Sequence, residues 1–279
     1  MGLADVVAPG SLVEPQSRYL ADLMGRGVQG TADAVVLPSS VDEVAAVMRW
    51  CYDNDVPLTA RGGGTGLAGG AIPVEGGVVI GFERLSAIRA FDPLLWRMHV
   101  EAGVTTADVH RLARENGLRF PPDPGAAEQS QIGGNIACNA GGPHAFKYGV
   151  TGRWVTGIEA VVPPGEIVRT GGPLRKDVAA YDLTALLVGS EGTLGIITEV
   201  TTKDFDGRNV RNHAKFLAID HRFLLVTSAN FSWSAEYGNV EFGVLVDNRN
   251  LTEAVEREML QAEDLLYERV PKPTSQRLT

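Results

Sequence analysis

Apolar and polar positions alternate along residues 34–200 in a way that predicts strands and helices in turn. Residues 34–37 form an apolar run that Pro38 closes, which is typical of a short buried strand. Residues 39–43 then offer a helix N-cap with Glu43 in the first turn, and apolar side chains follow at the spacing of one helix face, at Val44, Val47, Met48 and Cys51. A second short strand is predicted at residues 57–60. This part of the chain therefore predicts a strand, a helix and a strand.

The alternation continues toward Val200. The pattern predicts strands at residues 77–80 and 98–102, a helix at 106–116 capped by Thr105 or Thr106, and a hairpin formed by 155–162 and 167–170. A last strand follows a glycine-bearing loop and ends near Val200. Residues 120–149 show little hydrophobic periodicity, and a loop of that length inside a compact domain is usually functional.

The character of the sequence changes beyond Val200. Residues 201–209 are polar, and three apolar runs after them predict strands at residues 214–219, 223–226 and 240–246, followed by an amphipathic helix at 251–269. The sequence therefore predicts five segments, namely an N-terminal extension at 1–31, a first domain at 32–202, a junction at 203–207, a second domain at 208–270 and a tail at 271–279.

Composition excludes several classes of protein. The chain has 279 residues, of which 44% are hydrophobic, as in ordinary globular proteins. Its formal charge of -9 argues against broad affinity for nucleic acids or anionic membranes. No segment has the pattern of a signal peptide or a membrane-spanning helix, so we expect a cytoplasmic protein. Cys51 and Cys138 fit neither a disulfide framework nor a metal site, and no metal is expected.

The glycine-rich segment at residues 61–70 directly follows a predicted strand. A diphosphate needs several converging N–H donors, and successive backbone amides supply them only where side chains do not block the approach. Gly62, Gly63, Gly64 and Gly66 meet this requirement, while Thr65 adds a hydroxyl donor and Arg61 a positive charge. Taken alone, this loop is equally compatible with an ordinary turn.

Four separated segments together carry a family resemblance. They are residues 36–44 with 57–73, the PPDP segment at 121–124, residues 132–142 with 147–149, and residues 189–197. In order and spacing they resemble the FAD-binding domain of the vanillyl-alcohol oxidase and p-cresol methylhydroxylase type, and especially glycolate oxidase subunits and D-lactate dehydrogenases. The resemblance implies an α+β fold of two subdomains, followed by a partial α/β segment, and it implies FAD as cofactor.

The resemblance also implies roles for individual residues. The diphosphate would lie against Arg61, Gly62, Gly63, Gly64, Thr65 and Gly66. The flavin side would be lined by Gly133, Gly134, Asn135, Asn139, Ala140, Gly141 and Gly142, with Pro122, Asp123 and Gly149 nearby. The adenosine half would be covered by Glu191, Gly192, Gly195, Ile196 and Ile197. Lys147 and Tyr148 would either approach the isoalloxazine or be structural, and His144 is expected to be a surface histidine rather than a covalent flavin attachment.

A second resemblance begins beyond the junction. His213 and Lys215 point to the same face of a predicted strand, because side-chain direction alternates with period two. With Asp220, Asn230 and Glu241 they resemble the motif of the phospholipase D superfamily of phosphodiesterases and nucleases. The resemblance implies His213 as nucleophile, Lys215 and Asn230 with Ser228 as phosphate ligands, Asp220 as a structural acid and Glu241 as the carboxylate that orients the histidine.

Three functions stay open at this point. The first is an FAD-binding oxidoreductase related to glycolate and D-lactate oxidases or dehydrogenases, acting on a small 2-hydroxy acid. Its flavin resemblance stops near Val200, where such proteins continue into a cap domain, so we expect the substrate pocket to be missing. The second is a phospholipase D-type phosphodiesterase acting through His213, in which a homodimer would supply the second motif. The third is an inactive fusion of two partial genes.

Overall fold

The computed structural model of this chain describes residues 2–23, 28–173, 181–203, 205–206, 215–227 and 243–266. The chain divides into two compact units, Met1–Arg208 and Asn209–Thr279. They are called the N-terminal and C-terminal units below. Both contain helices as well as sheets, as expected from the mixed hydrophobic periodicity.

A four-stranded sheet forms one half of the N-terminal unit. Its strands are β1 (Leu12–Val13), β2 (Ala34–Val36), β3 (Leu58–Arg61) and β4 (Val78–Gly81), in the order β1-β2-β4-β3. Strands β2, β4 and β3 are parallel, and β1 adds an antiparallel edge. Helix α1 (Val41–Asp53) connects β2 to β3, so the predicted strand, helix and strand are confirmed.

Helix α1 forms where the sequence places its cap and its apolar stripe. The Ser40 hydroxyl accepts a hydrogen bond from the Glu43 amide at 3.2 Å, which satisfies one of the donors that a helix start leaves unpaired. The predicted apolar face is buried, and it packs with strand residues of the first sheet in one hydrophobic cluster, which includes Val36, Val44, Val47, Val78 and Ile80.

A five-stranded antiparallel sheet forms the other half. Its strands are β5 (Ile88–Asp92), β6 (Arg97–Glu101), β8 (Val155–Val162), β9 (Glu166–Gly171) and β10 (Ile196–Lys203), in the order β5-β6-β10-β8-β9. Helix α2 (Thr106–Glu115) is capped by Thr105, whose hydroxyl accepts from the Asp108 amide at 3.1 Å. A short pair, β7 (Leu118–Arg119) with β11 (Phe205–Asp206), completes the strands of this unit that the described residues contain.

The stretch at residues 120–149 is not wholly irregular. It contains two short helices, α3 (Ile132–Ala137) and α4 (Ala145–Tyr148), and a third, α5 (Leu183–Leu187), precedes β10. Helix α3 packs through Ile132 and Ile136, both fully buried, into a second hydrophobic cluster, which includes Met98, Val100, Ile158 and Val200 of the five-stranded sheet. Tertiary packing therefore stabilises a helix whose two glycines disfavour it locally.

The C-terminal unit is a small sheet with one helix. Strands β12 (Lys215–Ile219), β13 (Phe223–Thr227) and β14 (Gly243–Asp247) pair antiparallel in that order, and helix α6 (Arg249–Leu266) follows. The Thr252 hydroxyl donates to the Arg222 carbonyl at 2.9 Å, which ties α6 to the turn before β13. The three predicted strands and the helix are confirmed as far as the structure describes them, and the predicted residues 214, 240–242 and 267–269 lie outside the described residues. Among the described residues, no helix is both long and apolar enough to cross a membrane.

Candidate functional site

A cavity of about 630 Å³ opens in the N-terminal unit where the two sheets meet. Ala60 at the end of β3 and Phe82 just after β4 contribute from the first sheet, and Ala102 and Ile196 contribute from the second. Its remaining wall consists mostly of the three predicted glycine loops. A cavity of this size is within the range that cofactors and other small molecules occupy in proteins.

The first glycine loop fits tightly against its neighbours on the protein side. A Cβ atom at Gly63 would lie 1.9 Å from the Gln129 carbonyl oxygen, so only glycine fits there. The Gly64 carbonyl accepts from the Leu23 amide at 3.1 Å, and the Gly69 amide donates to Asp22 Oδ2 at 3.0 Å. These contacts fix the shape of the loop without closing its cavity side.

On the cavity side the same loop offers donors and open space. The amides of residues 63–66 donate to no acceptor within the part of the chain that the structure describes. A Cβ atom at Gly66 would meet nothing within 4 Å, and the same holds for Gly70, Gly125 and Gly192, which also line the cavity. Four cavity-lining glycines thus leave open the space that side chains would fill, and the loop also offers amides able to bind an anion.

Arg61 lies behind this loop rather than in the cavity. It is 8% exposed, and its guanidinium donates to the Ala71 carbonyl at 3.4 Å. Burial lowers the pKa of Arg61, although the negative charges of Glu83 and Asp22 oppose this change. The guanidinium occupies the space next to Gly64, where a Cβ would lie 2.0 Å from one of its nitrogens. Arg61 therefore supports the loop from the protein side.

The second wall is helix α3 with its flanking residues. Gly133 packs against Ala102, because a Cβ atom added at Gly133 would lie 2.6 Å from the Ala102 Cβ. A Cβ atom added at Gly62 would lie 3.6 Å from the Gly134 Cα. The buried Asn135 donates from Nδ2 to Thr106 Oγ1 at 2.6 Å, and Thr106 Oγ1 lies 2.7 Å from Ser130 Oγ. This buried hydrogen-bond network holds α3 against the start of α2.

The third wall is the loop before β10. The Gly189 amide donates to the Ile136 carbonyl at 3.0 Å, and the Glu191 amide donates to the Ala137 carbonyl at 2.8 Å. Both residues, and Gly192 after them, adopt positive φ, with 52° at Glu191 and 80° at Gly192. The end of α3 thereby positions this loop, and Ile196 and Ile197 complete the wall.

Most of the predicted flavin-binding residues meet around the cavity. Those that line it are Gly62, Gly63, Gly64, Thr65, Gly66, Gly133, Gly134, Asn135, Ala140, Glu191, Gly192, Gly195, Ile196 and Ile197. Those that do not are Arg61, Pro122, Asp123, Asn139, Gly141, Gly142 and Gly149. Several members of the second group instead make hydrogen bonds within the protein that hold the loops together.

The hydrogen bonds of this second group are structural. Asn139 Oδ1 accepts from the Gly152 amide at 2.9 Å. Asp123 accepts from the His144 amide at 3.3 Å and also pairs with the His144 ring nitrogen Nδ1. His144 is exposed and does not line the cavity, as expected of a surface histidine.

Lys147 and Tyr148 lie together on α4, outside the cavity lining. The Tyr148 ring has the Lys147 ammonium 4.9 Å from its centroid and the Arg119 guanidinium 5.1 Å from it. The Tyr148 carbonyl accepts from Trp154 Nε1 at 3.1 Å. These contacts support the structural alternative of the two that the sequence left open.

Two cavity residues carry polar chemistry that sequence reasoning missed. Gln131 is 8% exposed, and its Oε1 atom has no hydrogen-bond partner among the described residues. Cys138 is exposed on the cavity wall, where partial burial raises the pKa of its thiol and the negative charge of Glu191 raises it further. Gln131 directly precedes the IGGN segment, but it is not part of the glycine motif, and nothing else in the sequence distinguishes it.

The cavity fits FAD on its own geometry. Unpaired amides suit a diphosphate, open space beside four glycines suits close backbone contact, and the buried Gln131 acceptor suits a hydroxyl or N–H donor. No cluster of three or more metal-ligating side chains occurs in the described ranges. The unpaired amides and the open glycine faces suit an anionic organic ligand.

The predicted phosphodiesterase residues lie in the C-terminal unit. His213, Asn230 and Glu241, together with Ser228, lie outside the described residues. Lys215 is the first residue of β12, and Asp220 is exposed in the turn after it, with a φ of 53°.

Comparisons with known proteins agree with this geometry. The family described as FAD binding domain matches residues 32–171, half of the chain. The family described as cardiolipin synthase, PLD-like domain matches residues 190–262. The glycolate oxidase subunit GlcD of Bacillus subtilis is 47% identical over 175 residues, which are 63% of this chain and 37% of that protein. A D-lactate dehydrogenase of Anaerostipes hadrus is 43% identical over 171 residues, 61% of this chain and 36% of that protein.

Solved structures share the fold. An alkyldihydroxyacetonephosphate synthase superposes with a TM-score of 0.63 at 23% identity, covering 80% of this chain and 41% of that one. The chain spans little more than a third of the length of the curated relatives named above. The resemblance stated from the sequence, to p-cresol methylhydroxylase-type flavin domains joined to a phospholipase D-like segment, is confirmed. This chain belongs to the FAD binding domain family.

Proposed function

We propose that the N-terminal unit binds FAD in the cavity between its two sheets and serves as the cofactor unit of an oxidoreductase for small 2-hydroxy acids. The observation that carries the proposal is the cavity itself, in which loops distant in sequence present unpaired amides and open glycine faces. When bound, FAD would supply a two-electron acceptor for a hydride.

Each wall of the cavity receives a role in this proposal. Residues 62–66 bind the diphosphate through backbone amides, with the Thr65 hydroxyl as a further donor. Gly133, Gly134 and Asn135 contact the flavin side, and the loop around Gly192 with Ile196 and Ile197 covers the adenosine half. Arg61, Asp123 and Asn139 position these loops from outside the cavity, which matches their contacts with protein atoms.

The substrate class comes from the relatives rather than from the cavity. GlcD is named for glycolate, and the Anaerostipes hadrus relative is named for D-lactate. Both are small acids that carry a hydroxyl beside the carboxylate. The comparisons do not favour a phosphodiesterase or an inactive fusion as the function of the chain, since the flavin family covers half of it.

Replacing Gly66 by valine tests the cavity as the FAD site. The new side chain points into open space, so the fold is kept while the branched carbons block the approach to the amides. We expect FAD affinity to fall at least about tenfold, the equivalent of one lost charge-assisted hydrogen bond. The measurement is titration of the flavin-free full chain with FAD, followed by flavin absorbance and fluorescence.

Gly172→Val is the matched control. Gly172 also has nothing within 4 Å of an added Cβ, but it does not line the cavity, so FAD affinity should stay unchanged. A wild-type chain that takes up no FAD contradicts the proposal, and so does a Gly66→Val chain that binds FAD as tightly as wild type. Anaerobic bleaching of the bound flavin by glycolate or D-lactate tests the substrate class separately.

A further inference from the structure

Gln131 places a buried acceptor on the cavity wall without a protein donor to meet it. Its side chain lines the cavity, the residue is 8% exposed, and no partner for Oε1 occurs among the described residues. A buried carbonyl oxygen left without a donor destabilises the folded protein, so such atoms are rare unless a ligand or a water satisfies them.

The backbone around Gln131 is fixed on both sides, which fixes where the side chain starts. The Gln131 carbonyl accepts from the Asn135 amide at 3.0 Å, and Gln131 forms an isolated bridge with Thr105. Although Gln131 is the N-cap of α3, its side chain makes no capping hydrogen bond. The Gln131 side chain therefore does not cap the helix, and its Oε1 atom accepts no hydrogen bond from another described residue.

The first glycine loop lies directly opposite this acceptor. An added Cβ at Gly62 would stand 3.6 Å from Gln131 Oε1, so a ligand atom resting on Gly62 comes within reach of the amide oxygen. Phosphate oxygens are acceptors and cannot pair with another acceptor. Because the structure turns Oε1 rather than Nε2 toward Gly62, the group that meets Gln131 there is a donor, and sugar hydroxyls are the donors next to a nucleotide diphosphate.

We propose that Gln131 Oε1 accepts a hydrogen bond from a hydroxyl of FAD adjacent to the diphosphate, on either the ribityl chain or the adenosine ribose. This inference rests on the proposed function, because it takes FAD as the occupant of the cavity. It assigns Gln131 as a cofactor-positioning residue, one that selects for a hydroxylated chain beside the diphosphate-binding loop.

The test is Gln131→Met in the full chain, with Gln129→Met as matched control. Methionine keeps the length of the side chain but has no strong acceptor, and Gln129 is exposed and absent from the cavity lining. We expect FAD affinity to fall about tenfold in Gln131→Met and to stay unchanged in Gln129→Met. The flavin-free Gln131→Met chain should melt roughly 2–4 °C higher than wild type, because the unpaired buried oxygen is gone.

The two measurements move in opposite directions, which a purely structural role does not produce. Unchanged FAD affinity in Gln131→Met, with a wild type that binds FAD, overturns this inference alone. A wild type that binds no FAD overturns the proposed function with it. If Gln131→Met lowers the melting temperature of the flavin-free chain, the same measurements are made on Gln131→Leu. If that variant is also destabilised, Gln131 has a structural role and the inference is overturned. Titration of wild type and Gln131→Met with FMN, which carries the ribityl chain, and with ADP, which carries the adenosine ribose, identifies the hydroxyl. The ligand whose affinity falls in the variant is the one that contains it.

Discussion

Gly63 shows how closely the shape of the cavity depends on single atoms. An added Cβ there would stand 1.9 Å from the Gln129 carbonyl oxygen, which is main chain and cannot rotate away. Gly63→Ala must therefore separate the glycine loop from the segment before α3. We expect a loss of about 1–3 kcal/mol in the free energy of unfolding, as for other overpacked sites. Denaturant unfolding of the flavin-free chain measures it.

Gly66→Ala separates this steric effect from the general cost of replacing glycine. An added Cβ at Gly66 meets no atom within 4 Å, so the free energy of unfolding should change by less than about 0.5 kcal/mol. Equal losses in the two alanine variants would mean that the close contact with Gln129 does not constrain the loop.

Residue roles were predictable from the sequence only where one backbone property decides them. The need for unobstructed amides beside a diphosphate pointed to Gly62 and Gly66, and both line the cavity. Whether a polar side chain enters the cavity depends on its tertiary partners. Asn139 is engaged by the Gly152 amide outside the cavity, whereas Gln131, which no motif marks, lines it. Such partners come from distant parts of the chain, and local pattern does not report them.

At the scale of elements, α1 is held to the N-terminal segment by one buried carboxylate. Glu43 Oε1 accepts from the Ala8 amide and Oε2 from the Ser39 amide, both at 2.9 Å. Burial would raise the pKa of Glu43, but the nearby Ser11 hydroxyl and the bonds from Ser39 and Ala8 outweigh it and lower that pKa from its ordinary 4.5. The ionised form is thus the one that stabilises the start of α1.

This predicts a pH-dependent difference between wild type and Glu43→Gln. Because the pKa is lower in the folded chain, the contribution of Glu43 is present above pH 4.5 and is lost as pH falls through the folded pKa. Glu43→Gln should be less stable by about 1–3 kcal/mol at pH 7, since an amide N–H then faces a backbone N–H. The gap should narrow below pH 4.5 in thermal melts.

Asp42→Asn is the control for this experiment. Asp42 lies in the same turn of α1 but is exposed, so its replacement tests only the general effect of charge near the helix start. A gap between wild type and Glu43→Gln that stays constant from pH 7 to pH 3 would contradict the assignment of the ionised carboxylate as the stabilising form.

Elements with a strong period were predictable, and elements stabilised by long-range contacts were not. The apolar stripe of α1 and the alternating or continuous apolar runs of β4, β8 and β10 identified them from the sequence. Strand β5 is mostly exposed, with no apolar run to mark it, and is defined by pairing with β6. Helix α3 contains two glycines and forms because Ile132 and Ile136 are buried in the second cluster.

At the scale of the whole molecule, each of the two units has buried residues of its own among those that the structure describes. The hydrophobic clusters formed by the described residues all lie within Met1–Arg208, as does every residue that lines the cavity. In the C-terminal unit, Leu224 of β13 is 4% exposed. Every described residue that lines the cavity therefore belongs to the N-terminal unit, and Leu224 is a buried residue of the C-terminal unit.

We accordingly expect two calorimetric transitions that respond to different changes. FAD at a hundredfold excess over its dissociation constant adds about 2.7 kcal/mol to the stability of the N-terminal unit, which raises the corresponding melting temperature by roughly 5–10 °C. Leu224→Ala removes about 2–5 kcal/mol from the C-terminal unit and lowers the other transition. FAD should leave the melting temperature of the C-terminal unit unchanged, and Leu224→Ala should leave that of the N-terminal unit unchanged. A single transition that both FAD and Leu224→Ala displace would instead show that the chain unfolds as one cooperative body, so that binding in the cavity also stabilises the phospholipase D-like segment.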